Sequence, residues 1–245
     1  MSHQRQHRRP AEIFHETPSL RGIPVSETDG FGPVRLLSNR QRQELAAIAP
    51  RMQVPARTIV YRQRTAAESV FIVADGVLKA FRELRNGKRP VLAFMFAEDI
   101  FGLAEAGQYV NTAETVTAAT LFRISLAALK ERLRSNAELE LKLLAKVTHE
   151  LREAQRHTLV VARRDAVGRV AVFLQTLEDH STHRDTAAID VPMTWADIAG
   201  YLGLSTTAFG RACRRLERSG VVAFPDRHTA RILDRRQLEK LASGS

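Results

Sequence analysis

The residues with the most legible chemistry run from Thr194 to Leu216, T-W-A-D-I-A-G-Y-L-G-L-S-T-T-A-F-G-R-A-C-R-R-L. Thr194 and Ser205 each stand where a hydroxyl accepts the free N–H groups of a helix start, and Asp197, three residues past Thr194, makes a variant of the capping box. Gly203 supplies a tight break between the two helices. Small Ala199 lets them approach, and Ile198, Leu202, Leu204, Phe209 and Leu216 are spaced to close a core. This pattern predicts a helix-turn-helix.

At about 100° per residue, Thr207, Gly210, Arg211, Arg214 and Arg218 share one face of the second helix, opposite Phe209 and Leu216. A basic, uncluttered face suits a helix that enters the major groove of DNA. Arg211 offers a planar fork matched to guanine O6 and N7, while Arg214 and Arg218 suit phosphates. Thr194, Ser205 and Thr206 complete the expected DNA-contacting set with Thr207 and Gly210. Cys213 turns toward Phe209 and is expected in the core; oxidation of its thiol is the redox alternative. Val221–Phe224 and Ala230–Leu233 frame Pro225-Asp226-Arg227-His228, which predicts a hairpin wing with Arg227 and Arg231 near the DNA backbone. Asp234 caps a final short helix.

Upstream elements must hold that helix in place. From Leu126 to Arg163 turn residues vanish, as in one long helix. Along it Leu144, Val147, Leu151, Ala154, Thr158 and Val161 alternate spacings of three and four, the seam of a parallel homodimer. The alternative is that this stripe packs on the rest of its own chain, the expected role of Leu139, Leu141 and Leu143. Between Met52 and Ile124 lie short apolar runs, Thr58–Tyr61, Val70–Val73, Val77–Leu84, Val91–Phe96 and Thr115–Ile124. The turn pairs Asp75-Gly76 and Asn86-Gly87 punctuate them, and a small antiparallel sandwich or barrel follows. A helix over Leu36–Ala49, capped by Ser38, precedes the strands. A second helix over Ala166–Leu177 leads into a polar stretch, Glu178–Asp190.

Composition narrows the function classes. In 245 residues, 37 Lys and Arg against 27 Asp and Glu leave a net charge of +10, and 44% hydrophobic residues describe an ordinary globular chain. The longest apolar run, Val91 to Ala97, is far short of the roughly 20 residues that cross a bilayer. No apolar segment follows the basic start, so cytoplasmic residence is expected. A single cysteine excludes an internal disulfide and a cysteine-held cluster. His180 and His183, beside Asp179 and Asp185, read as a solvated loop rather than a metal site, and His149 and His157 as interface histidines rather than haem ligands. Phosphate loops, nucleophile elbows and zinc-protease motifs are absent, so neither an enzyme nor a cofactor is expected.

A β-sandwich, a long dimer helix and a winged helix-turn-helix in this order resemble the Crp/Fnr superfamily of bacterial transcription regulators, over residues 31–241. Leu141-Lys-Leu-Leu144, His149-Glu-Leu-Arg-Glu-Ala-Gln155, Arg169-Val-Ala-Val-Phe-Leu174 and Met193 to Leu204 look most like its FixK group. The resemblance implies an α+β chain. The aperiodic, proline- and glycine-containing stretch over 1–30 is expected to be a flexible tail, followed by a cyclic-nucleotide-binding-like β-roll (jelly roll) sensor over 31–125, a dimerisation helix over 126–162 and a winged helix-turn-helix over 163–245. The resemblance further implies a homodimeric activator of low-oxygen or nitrogen-metabolism genes, acting on a palindromic operator with RNA polymerase as partner. The alternative is a small-molecule-sensing β-roll that acts through protein contacts. Relatives that bind cyclic nucleotides carry a Gly-Glu pair and an Arg-Ser/Thr-Ala run, where this chain has Gly102-Leu103 and Asn111-Thr112-Ala113. The tail lacks the cysteines of oxygen-sensing relatives. Thr207 replaces the family's glutamate, which changes the expected half-site.

Overall fold

The computed structural model describes residues 49–162, 165–180 and 188–243. The expected tail, the Leu36–Ala49 helix up to residue 48 and the His183 and Asp185 positions lie outside them.

Short alternating runs closed by turns build the first layer pair. Strands β1 (Arg51–Val54), β10 (Ala119–Ser125), β3 (Ser69–Asp75) and β6 (Ile100–Phe101) form one sheet in that order. The facing sheet is β2 (Ile59–Tyr61), β9 (Thr112–Thr115), β4 (Leu78–Phe81) and β5 (Val91–Met95). All pairings are antiparallel, and β7 (Ala104–Glu105) with β8 (Gln108–Tyr109) adds a small ribbon. The expected Thr115–Ile124 strand is two strands in different sheets: the chain leaves β9 at Thr115 and re-enters the other sheet at Ala119. Thr117 marks the crossing, its hydroxyl accepting from Val77 N at 2.9 Å.

The sandwich interior is aromatic. Tyr61 stacks on Tyr109 with ring centroids 3.9 Å apart, and Phe71 on Phe101 at 5.3 Å. Tyr109 Oη donates to the buried Ser69 carbonyl and Tyr61 Oη to Asn111 Oδ1, so the polar ends of the rings are satisfied inside the core.

The single helix expected over 126–162 is two. Helix α1 (Leu126–Arg134), capped by Ser125, ends at Ser135, and α2 (Ala137–Ala162) begins after Asn136. Ser135 Oγ donates back to Arg132 O, while Asn136 Oδ1 accepts from Leu139 N at 3.0 Å, so a C-cap and an N-cap stand side by side. Leu129 of α1 and Leu139 of α2 fill a core with Val70, Ile72, Ile100 and Ile124, which makes this segment part of the sandwich. Lys146 ties α2 to the sandwich as well. Burial alone would lower its ammonium, yet Asp99 at 3.3 Å and Glu150 at 2.7 Å leave it raised.

The C-terminal unit contains α3 (Ala166–His180), β11 (Ala188–Asp190), α4 (Trp195–Tyr201), α5 (Thr206–Arg218), β12 (Val222–Ala223), β13 (Thr229–Ile232) and α6 (Arg235–Ser243). The polar stretch expected over Glu178–Asp190 thus begins as the last turn of α3 and ends as a strand; 181–187 lie outside the described residues. Strand β11 pairs with β13, and the wing hairpin β12–β13 forms as expected, giving a three-stranded sheet. Among the described residues, no helix is long and apolar enough to cross a membrane.

Two turn glycines yield a prediction. Gly76 (φ +92°) would bring a Cβ within 2.5 Å of the Ala118 carbonyl oxygen, whereas Gly87 (φ +76°) faces open space. Left-handed strain alone costs about 1–2 kcal/mol. Gly87→Ala should lower stability by about that amount, and Gly76→Ala by clearly more, because backbone must also move. Urea unfolding of both variants checks the ranking.

Candidate nucleic-acid interface

Helix α4 starts where its cap places it. Thr194 Oγ1 accepts from Asp197 N at 3.1 Å, the first half of the expected capping box. The Asp197 carboxylate goes elsewhere: it accepts from Thr194 Oγ1 at 2.8 Å and from Lys79 Nζ of β4 at 3.0 and 3.1 Å. Ser205 caps α5 by accepting from Ala208 N at 3.1 Å. Between the helices Gly203 adopts φ +62°, and Leu204 N donates to Ala199 O at 2.8 Å, closing the turn.

Arg169, whose role the sequence reading missed, clamps this turn from α3. Its Nη1 donates to Leu202 O at 2.9 Å and Gly203 O at 3.2 Å, placing a cation at the C-terminal end of α4. A Cβ on Gly203 would lie 3.0 Å from Val161 Cγ1. Val161 is half-buried and lies beside the turn.

Phe209, Ala212, Cys213 and Leu216 anchor α5 in the core, each at most 3% exposed. Burial pushes the Cys213 thiol up to about 12, with Glu217 adding to it. Thr206, Thr207, Arg211, Arg214 and Arg218 lie on the exposed side, as expected, together with Arg215, which was not singled out. Gly210 is a correction: it is buried, and a Cβ there would be 3.8 Å from Trp195 Cζ3. Trp195 roofs that position, packs edge-on against Phe209 at 5.3 Å and donates from Nε1 to Arg227 O in the wing. Arg227 and Arg231 are exposed, and Asp234 caps α6 by accepting from Gln237 N.

Two histidines sit differently from the expectation. His157 of α2 stacks on Tyr201 of α4 at 4.0 Å and donates from Nε2 to the Tyr201 carbonyl, an intrachain contact that leaves its imidazole lowered by burial. Burial also pushes the Tyr201 phenol up to about 12. His180 is the end of α3, stacked on Phe96 at 4.3 Å, rather than part of a loop. His149 lines a cavity of about 190 Å³ among β5, α2, α3 and the end of α4.

On the outer side of α2, Leu144, Leu151, Ala154 and Thr158 are exposed, as is Val147 at 38%. Leu141, expected to pack inward, is 64% exposed and extends this stripe; Leu159, at 70%, was missed.

The positions that the resemblance relates to a cyclic nucleotide do not fit one. Leu103 offers no carboxylate for a ribose, and Asn111 accepts from Tyr61 Oη. Thr112 Oγ1 accepts from Gln63 N, and the interior carries the rings of Tyr61, Phe71, Phe101 and Tyr109. Asn111, at the position that the resemblance relates to the phosphate, carries an amide rather than a guanidinium.

Comparison with known proteins agrees with this architecture. Residues 51–136 match the cyclic nucleotide-binding domain family and residues 168–241 the Crp-like helix-turn-helix domain family. The nitrogen fixation regulation protein FixK of Azorhizobium caulinodans is 30% identical over 238 residues, 96% of this chain and 94% of that protein. The transcriptional activator protein FnrA of Stutzerimonas stutzeri is 27% identical, covering 76% of this chain and 78% of its own. The structure of FixK2 from Bradyrhizobium japonicum superposes with a TM-score of 0.72 at 26% identity, over 79% of this chain and 97% of that one. An aromatic-filled β-roll, a long helix with an exposed leucine stripe and an arginine-faced second helix of the helix-turn-helix thus come together in a chain that belongs to the Crp/Fnr family of transcription regulators, with FixK proteins among its relatives.

Proposed function

We propose that the chain acts as a homodimeric activator of low-oxygen or nitrogen-metabolism genes, reading a near-palindromic operator and working with RNA polymerase in the cytoplasm, without enzymatic activity of its own. The observation that carries this reading is the division of α5 into a buried side, Phe209 to Leu216, and an exposed side with Arg211, Arg214 and Arg218. Arg211 reads a base; Arg214 and Arg218 hold phosphates; Thr206 and Thr207 meet base edges; and the helix start at Thr194 and Ser205 lies on the backbone. Gly210 gives the Trp195 roof its clearance and makes no DNA contact. The pathway follows the role of its FixK relatives, which are nitrogen fixation regulation proteins.

The domain boundaries in this reading are a tail over 1–30, a sensor that extends through α1 to Asn136, a dimer helix over Ala137–Ala162 and a winged helix-turn-helix from Asp165 onward. Leu141, Leu144, Val147, Leu151, Ala154 and Thr158 face the partner protomer, and Leu159 flanks them. Two reading helices then enter successive major grooves about 34 Å apart.

Selection of bound sites from random duplexes by the purified chain, without added ligand, should return a palindrome; recovery of no preferred sequence overturns the reading. Arg211→Ala should cost about 1–3 kcal/mol on the selected site and relax one base position. Arg214→Ala should weaken selected and random duplexes alike and make the salt dependence shallower. Leu151→Arg should shift the chain from dimer to monomer in sedimentation equilibrium, an outcome that packing within one chain would not give. Cys213 serves the core in this reading. Burial holds its thiol raised, so at about pH 8 iodoacetamide should label it only after unfolding; peroxide should affect operator binding equally in the wild type and Cys213→Ser.

A further inference from the structure

The cavity of about 190 Å³ among β5, α2, α3 and the end of α4 takes no part in the DNA-binding reading. It has room for a body the size of one aromatic ring, since benzene occupies a cavity of about 150 Å³. Its floor is apolar: Val160, Val172, Phe173 and Leu202 all line it and are buried. Phe94, Phe173 and Tyr201 add a triad of rings whose centroids lie 5.2 to 6.0 Å apart. Two polar groups of the lining, the Tyr201 hydroxyl and the His149 imidazole, have no hydrogen-bond partner among the described residues.

The charges of the lining are unbalanced. Among the described residues, Asp99, Glu150 and Glu153 stand against Lys146 and Arg156, one more carboxylate than cation. Both cations are already held: Lys146 lies between Asp99 at 3.3 Å and Glu150 at 2.7 Å, and Arg156 binds Glu153 at 2.7 Å. An entering anion would have to take a cation from the carboxylate that holds it. The lining itself registers the sign of the field. The Lys146 ammonium stays raised although burial alone would lower it, and Glu153 adds to the burial that raises the Tyr201 phenol. Lys146 is the more deeply buried partner of its ion pair with Glu150, so the carboxylate stands nearer the mouth.

We infer that this cavity binds a small organic cation, an amine or quaternary ammonium on an apolar body the size of one ring. The body rests on the buried floor, and the charge is attracted by the ring quadrupoles and by Glu150 and Glu153. The Tyr201 hydroxyl supplies an acceptor for an ammonium N–H. A neutral ring would fill the floor and leave the excess carboxylate uncompensated. A bare metal ion is not the occupant, because no group of three His, Cys, Asp or Glu among the described residues could hold one. The walls come from the sandwich, from α2 and from the C-terminal unit, so one occupant touches all three and holds the end of α4 among them. The inference stands apart from the DNA-binding reading.

The test uses the full chain at about pH 8, above the ordinary histidine range and below that of aliphatic amines. Three probes share one shape and differ in charge: phenethylammonium, phenethyl alcohol and phenylacetate. Titration calorimetry should rank phenethylammonium first, with phenylacetate at least about tenfold weaker. Phenethylammonium should also raise the thermal transition, because it binds the folded chain. Thr176→Phe, which fills the cavity from α3, should abolish binding of all three probes. Glu150→Gln should weaken phenethylammonium by about threefold to fivefold, the size of one partly exposed charge pair, and leave phenethyl alcohol unchanged. If the thermal transition shows Thr176→Phe to be unfolded, Glu150→Gln carries the test. Phenylacetate binding as tightly as phenethylammonium would overturn the inference. So would a phenethylammonium affinity that neither substitution moves, or no binding at about 10 mM. A chain that binds phenethylammonium yet selects no duplex would keep this site and lose the DNA-binding reading.

Discussion

A helix proposed to lie in a groove can be held only from behind, and in this chain the holding converges on the turn at Gly203. Its positive φ lets α4 and α5 approach across Ala199, while Arg169 from α3 occupies the carbonyls that α4 leaves unpaired. Val161 from the end of α2 lies 3.0 Å from where a Cβ on residue 203 would stand. Four helices thus meet at the turn. The exposure of the arginines on α5 is a consequence of that crowding as much as of their own chemistry.

The same turn sits within a bridge between the two halves of the molecule. The first helix of the motif meets the sandwich at its start through Lys79 and Asp197 and at its end through Phe94 and Tyr201, where His157 of α2 also stacks. One contact is ionic and partly shielded, the other aromatic and apolar, so they respond differently to salt. Partly buried Phe94, Phe96, Val77 and Val116 of the sandwich pack directly on the C-terminal core. The domains therefore share a packed boundary rather than a bare linker.

What was legible in the sequence was local. Caps at Thr194, Ser205 and Asp234, turns at Gly76, Gly87 and Gly203, and the buried side of α5 each rest on residues within a few positions of one another. Long-range partnership was not legible: the ion pair between Lys79 and Asp197 joins residues 118 apart and leaves no periodicity to find. Gly210 looked like a bare spot on the reading face because only the fold brings Trp195 over it. The break at Ser135 and Asn136 was hidden because two polar residues within charged helical text look like any exposed turn, although together they form consecutive caps. Thr115–Ile124 read as one strand because its β-propensity is continuous, whereas the change of sheet depends on Thr117 reaching Val77. The helix-turn-helix was thus readable, and its attachment to the sandwich was not.

The exposed leucines of α2 have a further consequence for the cell. In the dimeric reading proposed above, Leu141, Leu144, Leu151 and Leu159, wet in a lone chain, are covered when two copies meet, so the species that fits a two-fold operator is a product of mass action. While pairs are scarce, their number rises with the square of the copy number. A modest change in synthesis or turnover then becomes a steeper change in promoter occupancy, so abundance itself can act as the input signal.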